Sequence, residues 1–365
     1  MPGSRAQTIL PRAASRTPTM DTRIQAADEA ALLQASRLLH ADQLVAFPTE
    51  TVYGLGGNAL STRAIDRIYA AKGRPRFNPL IVHIPEVAAA LDLVTDWPDA
   101  AVQLAQRFWP GPLTLVLRRA PSVPDAVSAG RPTLALRVPH HPVALRLLAA
   151  CGLPLAAPSA NRSQGISPTR AEHVAASLRA ADVPLILDGG PCQHGIESTV
   201  LDLTSSPPRL LRPGAIPLLL LRQTLAERGL AVAAPPPVSD DAPLAINESD
   251  PASPGQQRRH YAPRTPLTLL PSFDEDALLA LPAPRGLLGH LDVPALSAHC
   301  AVVERLPDDA PGYAADLYAA LHRLDDVTPR LASIAVLPLP YGRAQTDDLW
   351  QAIRDRLLRA AAPPT

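Results

Sequence analysis

The sequence carries no excess of either charge. Lys plus Arg and Asp plus Glu both number 34, so the chain as a whole has no field that would draw it to a polyanion, and any basic surface has to be local. Aromatic residues are scarce, at 4%, which counts against a stacking platform for single-stranded nucleic acid. Cysteine is nearly absent: Cys151, Cys192 and Cys300 stand far apart, with no C-x-x-C pair. That excludes a disulfide framework and a thiolate zinc site, and it suits a reducing cytoplasm, the compartment we expect. No apolar run approaches the roughly 18 residues of a spanning helix, so no membrane role is expected. The sequence also lacks G-x-x-x-x-G-K-[ST], so a bound nucleoside triphosphate would not rest on a Walker loop.

What the chain does have is apolar material for two ordinary domains, with 365 residues, 47% hydrophobic and 19% charged. Residues 1–21 stand apart. Arg5, Arg12 and Arg16 occur before the first acid, but Pro2, Pro11 and Pro18 would interrupt an amphipathic targeting helix. A disordered tail is expected, or a true start at Met20. From 22 to 228, short β-like runs alternate with helical stretches, an α/β pattern. Strands are expected at 44–47, 80–84, 113–117, 134–138, 185–187 and 198–203. Ser61 is placed to cap a helix whose Ile65, Ile68 and Tyr69 share a face, with Gly73 closing it. Over 229–265 the texture turns polar and proline-rich, which reads as a linker. A smaller α/β unit over 266–365 follows, with strands at 267–270 and 334–337 and helices at 313–324 and 348–361.

Several short motifs could carry chemistry, and each has an ordinary reading beside it. Gly54-Leu55-Gly56-Gly57-Asn58-Ala59 fits G-x-G-x-x-A between a strand and a helix, as in a dinucleotide-binding oxidoreductase. Residues 49–53 separate it from the strand, however, and no acid ends a second strand at the usual distance. Lys72-Gly73-Arg74-Pro75, with Asn78-Pro79 behind it, can aim two cations at one polyanion, or simply end a helix. Ser159 and Asn161 follow a strand-like segment, as ligand contacts or as turn residues. Ser167-Pro168 fits a helix N-cap with proline at N1, whose free N–H groups would also receive a phosphate. His83 shares a strand face with Ile81, where histidine is usually a satisfied half-buried residue.

The order and wording of the motifs decide between these readings. Phe47-Pro48-Thr49-Glu50-Thr51-Val52-Tyr53-Gly54-Leu55 and Lys72-Gly73-Arg74-Pro75 resemble the signature of the YrdC-type threonylcarbamoyl-AMP synthases. So do Trp109-Pro110-Gly111-Pro112-Leu113-Thr114, Arg137-Val138-Pro139, Ala157-Pro158-Ser159-Ala160-Asn161, Gly195-Ile196-Glu197-Ser198-Thr199-Val200 and Leu211-Arg212-Pro213-Gly214. Ser253-Pro254-Gly255 and Arg259-His260-Tyr261-Ala262-Pro263 resemble the junction of that family's long form, and 355–361 its last helix, with Gln256 and Gln257 departing from the pattern. The resemblance implies an α/β fold in two parts: a twisted open mixed sheet in the catalytic domain, and a smaller Rossmann-like domain after the linker.

It also implies an activity. L-threonine, bicarbonate and ATP would give threonylcarbamoyl-AMP, pyrophosphate and water, and downstream transferase machinery would move the group to an adenosine of tRNA. A carbamate formed from the amine and bicarbonate is itself a nucleophile, so positioning and charge neutralisation should dominate. By the same resemblance, Lys72, Arg74, Ser159 and Asn161 form the catalytic phosphate-handling tetrad. Asn78, Thr133, Ser167, Arg212 and Tyr261 join Lys72, Arg74 and Ser159 in holding ATP. Thr51, His83, Arg137, Ala157 and Ser198 match the L-threonine pocket, with Arg137 suited to a bidentate grip on the carboxylate. Mg2+ is expected to arrive with ATP, although no carboxylate cluster is dedicated to it. Direct tRNA contact is expected to be weak. The cluster of Arg258, Arg259, His260, Tyr261 and Arg264 at the linker's end reads as a lid over bound nucleotide. An RNA-binding module without ATP turnover is the competing reading, and zero net charge counts against it. A carbamoyltransferase of the hydrogenase-maturation type would carry an acylphosphatase-like region and cysteine-rich zinc motifs, which this sequence lacks.

Overall fold

The computed structural model describes residues 21, 23–226, 229, 231–233, 255, 257–340 and 347–363. The expected N-terminal tail (apart from Asp21) and most of the linker's proline- and acid-rich first half lie outside the described residues. The first domain runs β1 (Ile24–Ala26), α1 (Glu29–His40), β2 (Val45–Phe47), β3 (Gly54–Asn58), α2 (Thr62–Lys72), β4 (Ile81–His83), α3 (Asp99–Phe108) and β5 (Leu113–Arg118). It continues with β6 (Thr133–Arg137), α4 (Pro142–Cys151), β7 (Leu155–Ala156), α5 (Ala171–Ser177), β8 (Leu185–Asp188), β9 (Thr199–Asp202), β10 (Arg209–Arg212) and α6 (Leu218–Ala226). These strands form one mixed sheet in the order β1-β8-β2-β3-β7-β4-β6-β5-β9-β10. The second domain contains β11 (Leu267–Leu269), α7 (Glu275–Leu279), β12 (Arg285–Gly289), α8 (Pro294–Ser297), β13 (Val302–Arg305), α9 (Ala310–Asp325), β14 (Ser333–Val336) and α10 (Asp348–Ala361). Its four strands pair in parallel in the order β11-β14-β12-β13.

Local chemistry explains most of these elements. The Ser61 hydroxyl accepts the Ala64 N–H at the start of α2, Gly73 ends that helix at φ 61°, and Ile65, Ile68 and Tyr69 are buried. The glycine motif resolves differently from a dinucleotide loop. Residues 54–58 are strand β3, antiparallel to β2, and a Cβ on Gly56 would stand 2.7 Å from the Phe47 ring. Glycine is required there so that Phe47 can lie across the strand, and no phosphate turn exists. Ser167 is likewise not a helix cap. α5 begins at Ala171 after Arg170, and the Ser167 hydroxyl donates to Glu197 Oε1 at 2.7 Å.

The two domains share a core. Val52, Ile166 and Ile196 of the first domain cluster with Tyr313, Leu317 and Tyr318 of α9, and with Tyr261. Gly195 has φ 69°, and a Cβ there would fall 2.3 Å from the Ala314 carbonyl oxygen, so only glycine lets this turn touch α9. Beside that contact, His173 of α5 stacks on His322 of α9 with ring centroids 3.9 Å apart. Burial lowers both pKa values, that of His173 to about 3 with His322, Arg170 and Arg323 adding to the effect. Around His322, the Ser167 carbonyl, Asp326 and Asp325 pull the other way without reversing the shift, and Arg264 adds to it.

A depressed folded pKa gives stability that is present above the unfolded value of about 6.5 and lost as pH falls toward the folded value. The domain interface is therefore expected to loosen on acidification below about pH 6.5. Other buried histidines titrate in the same direction, so the diagnostic quantity is a difference. His322→Phe keeps a stacked ring without a charge, and its melting temperature should fall less than that of the unaltered chain between pH 7.5 and pH 5. Parallel curves for the two proteins would remove the pair from any role in acid sensitivity.

Candidate active site

Strand register brings the expected residues together. β4 and β6 are parallel neighbours with His83 opposite Arg137, and β7 pairs with β4 on its other edge. The Thr49 hydroxyl accepts the N–H groups of Thr51 and Val52, a local turn that presents Thr51 beside these strand ends. A cavity of about 50 Å³ opens there. Its wall includes Thr51, His83, Arg137, Ala157 and Ser198, the five residues expected to hold threonine. It also includes Arg74, Ser159, Arg212 and Tyr261 from the nucleotide set. Lys72, Asn78, Asn161 and Ser167 are buried behind the wall. Thr133 is not on it either: it opens β6 opposite Arg118, four residues and ~13 Å along the strand from Arg137. At one water per 10–15 Å³ or so, the cavity holds a few waters and is too small for a nucleoside triphosphate.

One side of the cavity is organised around Arg137. Its Nε donates to the Gly111 carbonyl at 3.2 Å and Nη1 to Thr51 Oγ1 at 3.0 Å, while Nη2 lies 2.6 Å from Glu50 Oε1. Glu50 and Arg137 thus form a buried ion pair, with the guanidinium on the cavity wall and Glu50 off it. Burial pushes the Glu50 pKa up, but the charge of Arg137, together with hydrogen bonds from Arg137 and from the Glu50 and His140 backbone, more than offsets this and keeps the carboxyl ionised. His83 is buried with Nδ1 unpartnered. Burial first, and Arg137 second, take its pKa down to about 3, so it offers a neutral imidazole at working pH. Ser198 Oγ lies 2.8 Å from Thr114 Oγ1 and accepts from Arg212 Nη2 at 3.1 Å.

The opposite requirement, a buried excess of positive charge, is met by three cations. Arg74 donates to Asn78 Oδ1 at 2.6 Å and to the Pro79 carbonyl at 2.9 Å, which fixes its guanidinium. Arg212 follows a register shift in the β9–β10 pairing, a bulge that re-aims its side chain toward Ser198. Lys72 is held by three oxygens: the Ser159 carbonyl at 2.5 Å, the Asn161 carbonyl at 2.5 Å and Asn161 Oδ1 at 3.2 Å. It fixes the loop that presents Ser159, and Ser159 in turn donates to Asn161 Oδ1 at 2.6 Å. Burial lowers all three pKa values, with Arg74 acting on Lys72, and Arg212 acting on Arg74, whose value falls to about 10. With Arg74 and Arg212 on the wall and Lys72 behind it, the grouping of positive charge can receive a polyanion.

The comparisons with known proteins agree with this geometry. A family model described as "Telomere recombination" (Sua5_yciO_yrdC) matches residues 37–214, and one described as "Threonylcarbamoyl-AMP synthase, C-terminal domain" matches 221–362. The solved structure of P. abyssi Sua5 complexed with L-threonine superposes with TM-score 0.79 at 35% identity, covering 93% of this chain and 96% of that one. The chain belongs to the threonylcarbamoyl-AMP synthase family. Curated members from Bacillus subtilis and Pyrococcus abyssi are 47% and 46% identical over 65% and 63% of this chain. The matched segments span 66% and 64% of those two relatives.

Four functional candidates were missed by sequence reasoning. Thr49 and Glu50 lie inside a quoted motif, and their pattern alone does not say that one shapes the turn and the other pairs with Arg137. Tyr318 and Arg356 of the second domain reach Glu197 from 121 and 159 residues away; Arg356 lies in the quoted 355–361 stretch, which does not say what it meets, and no local signal marks Tyr318.

Proposed function

We propose that this chain condenses L-threonine, bicarbonate and ATP into threonylcarbamoyl-AMP and pyrophosphate, in the cytoplasm, as the donor for tRNA modification by separate transferase machinery. The observation that carries this reading is one buried cavity holding two recognition sets. Arg137, an unpartnered His83 and a cluster of hydroxyls suit a small hydroxy amino acid, and Arg74 with Arg212 suits a polyphosphate. The relatives are named threonylcarbamoyl-AMP synthases, and an AMP-bearing product supports ATP as the substrate.

Each step then has residues to support it. Arg137 holds the threonine carboxylate, and the hydroxyl cluster of Thr51 and Ser198 with neutral His83 reads the side chain. The carbamate oxygen attacks the α-phosphorus, and pyrophosphate leaves toward Arg74 and Arg212, whose charge is fixed before the reaction. Asn78 holds Arg74 from behind the wall, and Lys72 and Asn161 hold the loop that presents Ser159. Among the described residues no cluster of three or more His, Cys, Asp or Glu is placed to hold a metal. Mg2+ arriving with ATP would therefore be held by phosphate oxygens and water, where it would neutralise charge.

A pocket that hydrogen-bonds a hydroxyl rejects its apolar isostere strongly. Threonine should be preferred to valine by ~10⁴ in kcat/KM, measured as pyrophosphate release. Equal release with valine would remove threonine from the assignment.

A further inference from the structure

Glu197 lies on the cavity wall, next to Ser198, and is buried. Its Oε1 accepts the Ser167 hydroxyl at 2.7 Å. Its Oε2 accepts from two residues of the second domain, Tyr318 of α9 at 3.1 Å and Arg356 Nε of α10 at 3.3 Å. The Arg356 side chain has no exposure at all. A guanidinium in that position needs strong acceptors, and its own domain offers little: Asp355 lies at 3.5 Å and the Ala352 carbonyl at 3.4 Å. Its shortest bond, 2.6 Å from Nη1, goes to the Pro213 carbonyl of the first domain.

These contacts bracket the active-site wall. Glu197 precedes Ser198, and Pro213 follows Arg212. The guanidinium also sits 5.7 Å from the Tyr261 ring centroid, and Tyr261 stacks on Tyr318 at 5.7 Å. The neighbouring turn of α10 grips the connecting segment directly. Arg359 donates to the Gln257 carbonyl at 2.6 Å, and the Arg359 carbonyl accepts the His260 N–H at 3.2 Å.

We propose that Arg356, assisted by Tyr318, is a positioning residue of the synthesis site. By fixing Glu197, Pro213 and the Tyr261 ring at once, it sets the wall formed by Ser198, Arg212 and Tyr261. Docking of the second domain and completion of the nucleotide end are then a single event, and the second domain acts as part of the active site rather than as an appendage. This inference rests on the synthase reading given above.

The test uses the full chain with Arg356→Met, Arg356→Lys and Tyr318→Phe. Steady-state kinetics are read together with amide hydrogen exchange at 198–200, 211–214 and 260–262. Arg356→Met should lower kcat by about 30- to 300-fold and raise KM for ATP more than KM for threonine. Lysine keeps the charge but cannot span Glu197 and Pro213 together, so Arg356→Lys should recover only part of the loss. Tyr318→Phe, which removes one donor, should cost about three- to tenfold. Exchange in the three segments should speed at least about tenfold in Arg356→Met, with α2 unchanged. Full recovery by lysine, or wild-type kinetics in Arg356→Met with exchange altered only in α10, would overturn the proposal. If Arg356→Met does not fold, unaltered kinetics in both Tyr318→Phe and Arg356→Lys would overturn it instead. Absence of adenylate from the unaltered chain would refute the synthase reading, and the exchange measurements would still decide whether Arg356 sets this wall.

Discussion

Arg137→Ala should reduce kcat/KM for L-threonine by about 10²–10⁴, the effect of losing two charge-assisted hydrogen bonds to a carboxylate. It should also destabilise the fold by about 3–5 kcal/mol, because Glu50 would stay buried without its counter-charge. The two effects are separable. Glu50 lies at 2.6 Å from Arg137 Nη2 and is not on the cavity wall. Adding Glu50→Gln to Arg137→Ala removes the orphaned charge, so thermal stability should largely return while threonine use does not. Recovery of threonine use in the double variant would reduce Arg137 to a neutraliser of Glu50 and move the carboxylate grip elsewhere.

Tyr261→Ala is expected to uncouple ATP consumption from product. Tyr261 is 1% exposed, lines the cavity and has an unpartnered hydroxyl, with Gly255 packed so closely that a Cβ would fall 2.4 Å from that oxygen. Gly255, His260 and Tyr261 of the connecting segment thus wall one side of the cavity. We expect this wall to cover the bound nucleotide as a lid. Without the ring, water reaches the mixed anhydride, and threonylcarbamoyl-AMP formed per ATP consumed should fall about ten- to hundredfold. Product and pyrophosphate measured in the same reaction decide this. An unchanged ratio near one would mean that the segment is a tether and excludes nothing.

Much of the first domain was legible because its signals are local. The strands at 81–83, 113–118, 133–137, 185–188 and 199–202 are short apolar runs, and Ser61 and Gly73 mark both ends of α2. Position 54–58 misleads because a glycine-rich string before a helix reads as a phosphate turn. Those glycines instead make room for Phe47 and for helix packing: a Cβ on Gly57 would stand 3.2 Å from Ile68. Lys72 shows a subtler limit. Its place beside Ser159 and Asn161 was readable from the family resemblance, but its three oxygen partners and its position behind the wall depend on how the 159–161 loop folds back. The meeting of Glu197, Tyr318 and Arg356 lies beyond any local pattern, although Glu197 and Arg356 fall in quoted motifs, since it requires the two domains to dock.

The most direct test is incubation of the full chain with ATP, L-threonine and ¹³C-bicarbonate, followed by mass spectrometry of the products. The account predicts equal amounts of pyrophosphate and a threonylcarbamoyl-adenylate carrying the label, formed only when all three substrates are present. ATP turnover that ignores threonine, or RNA binding with no labelled adenylate at all, would contradict it.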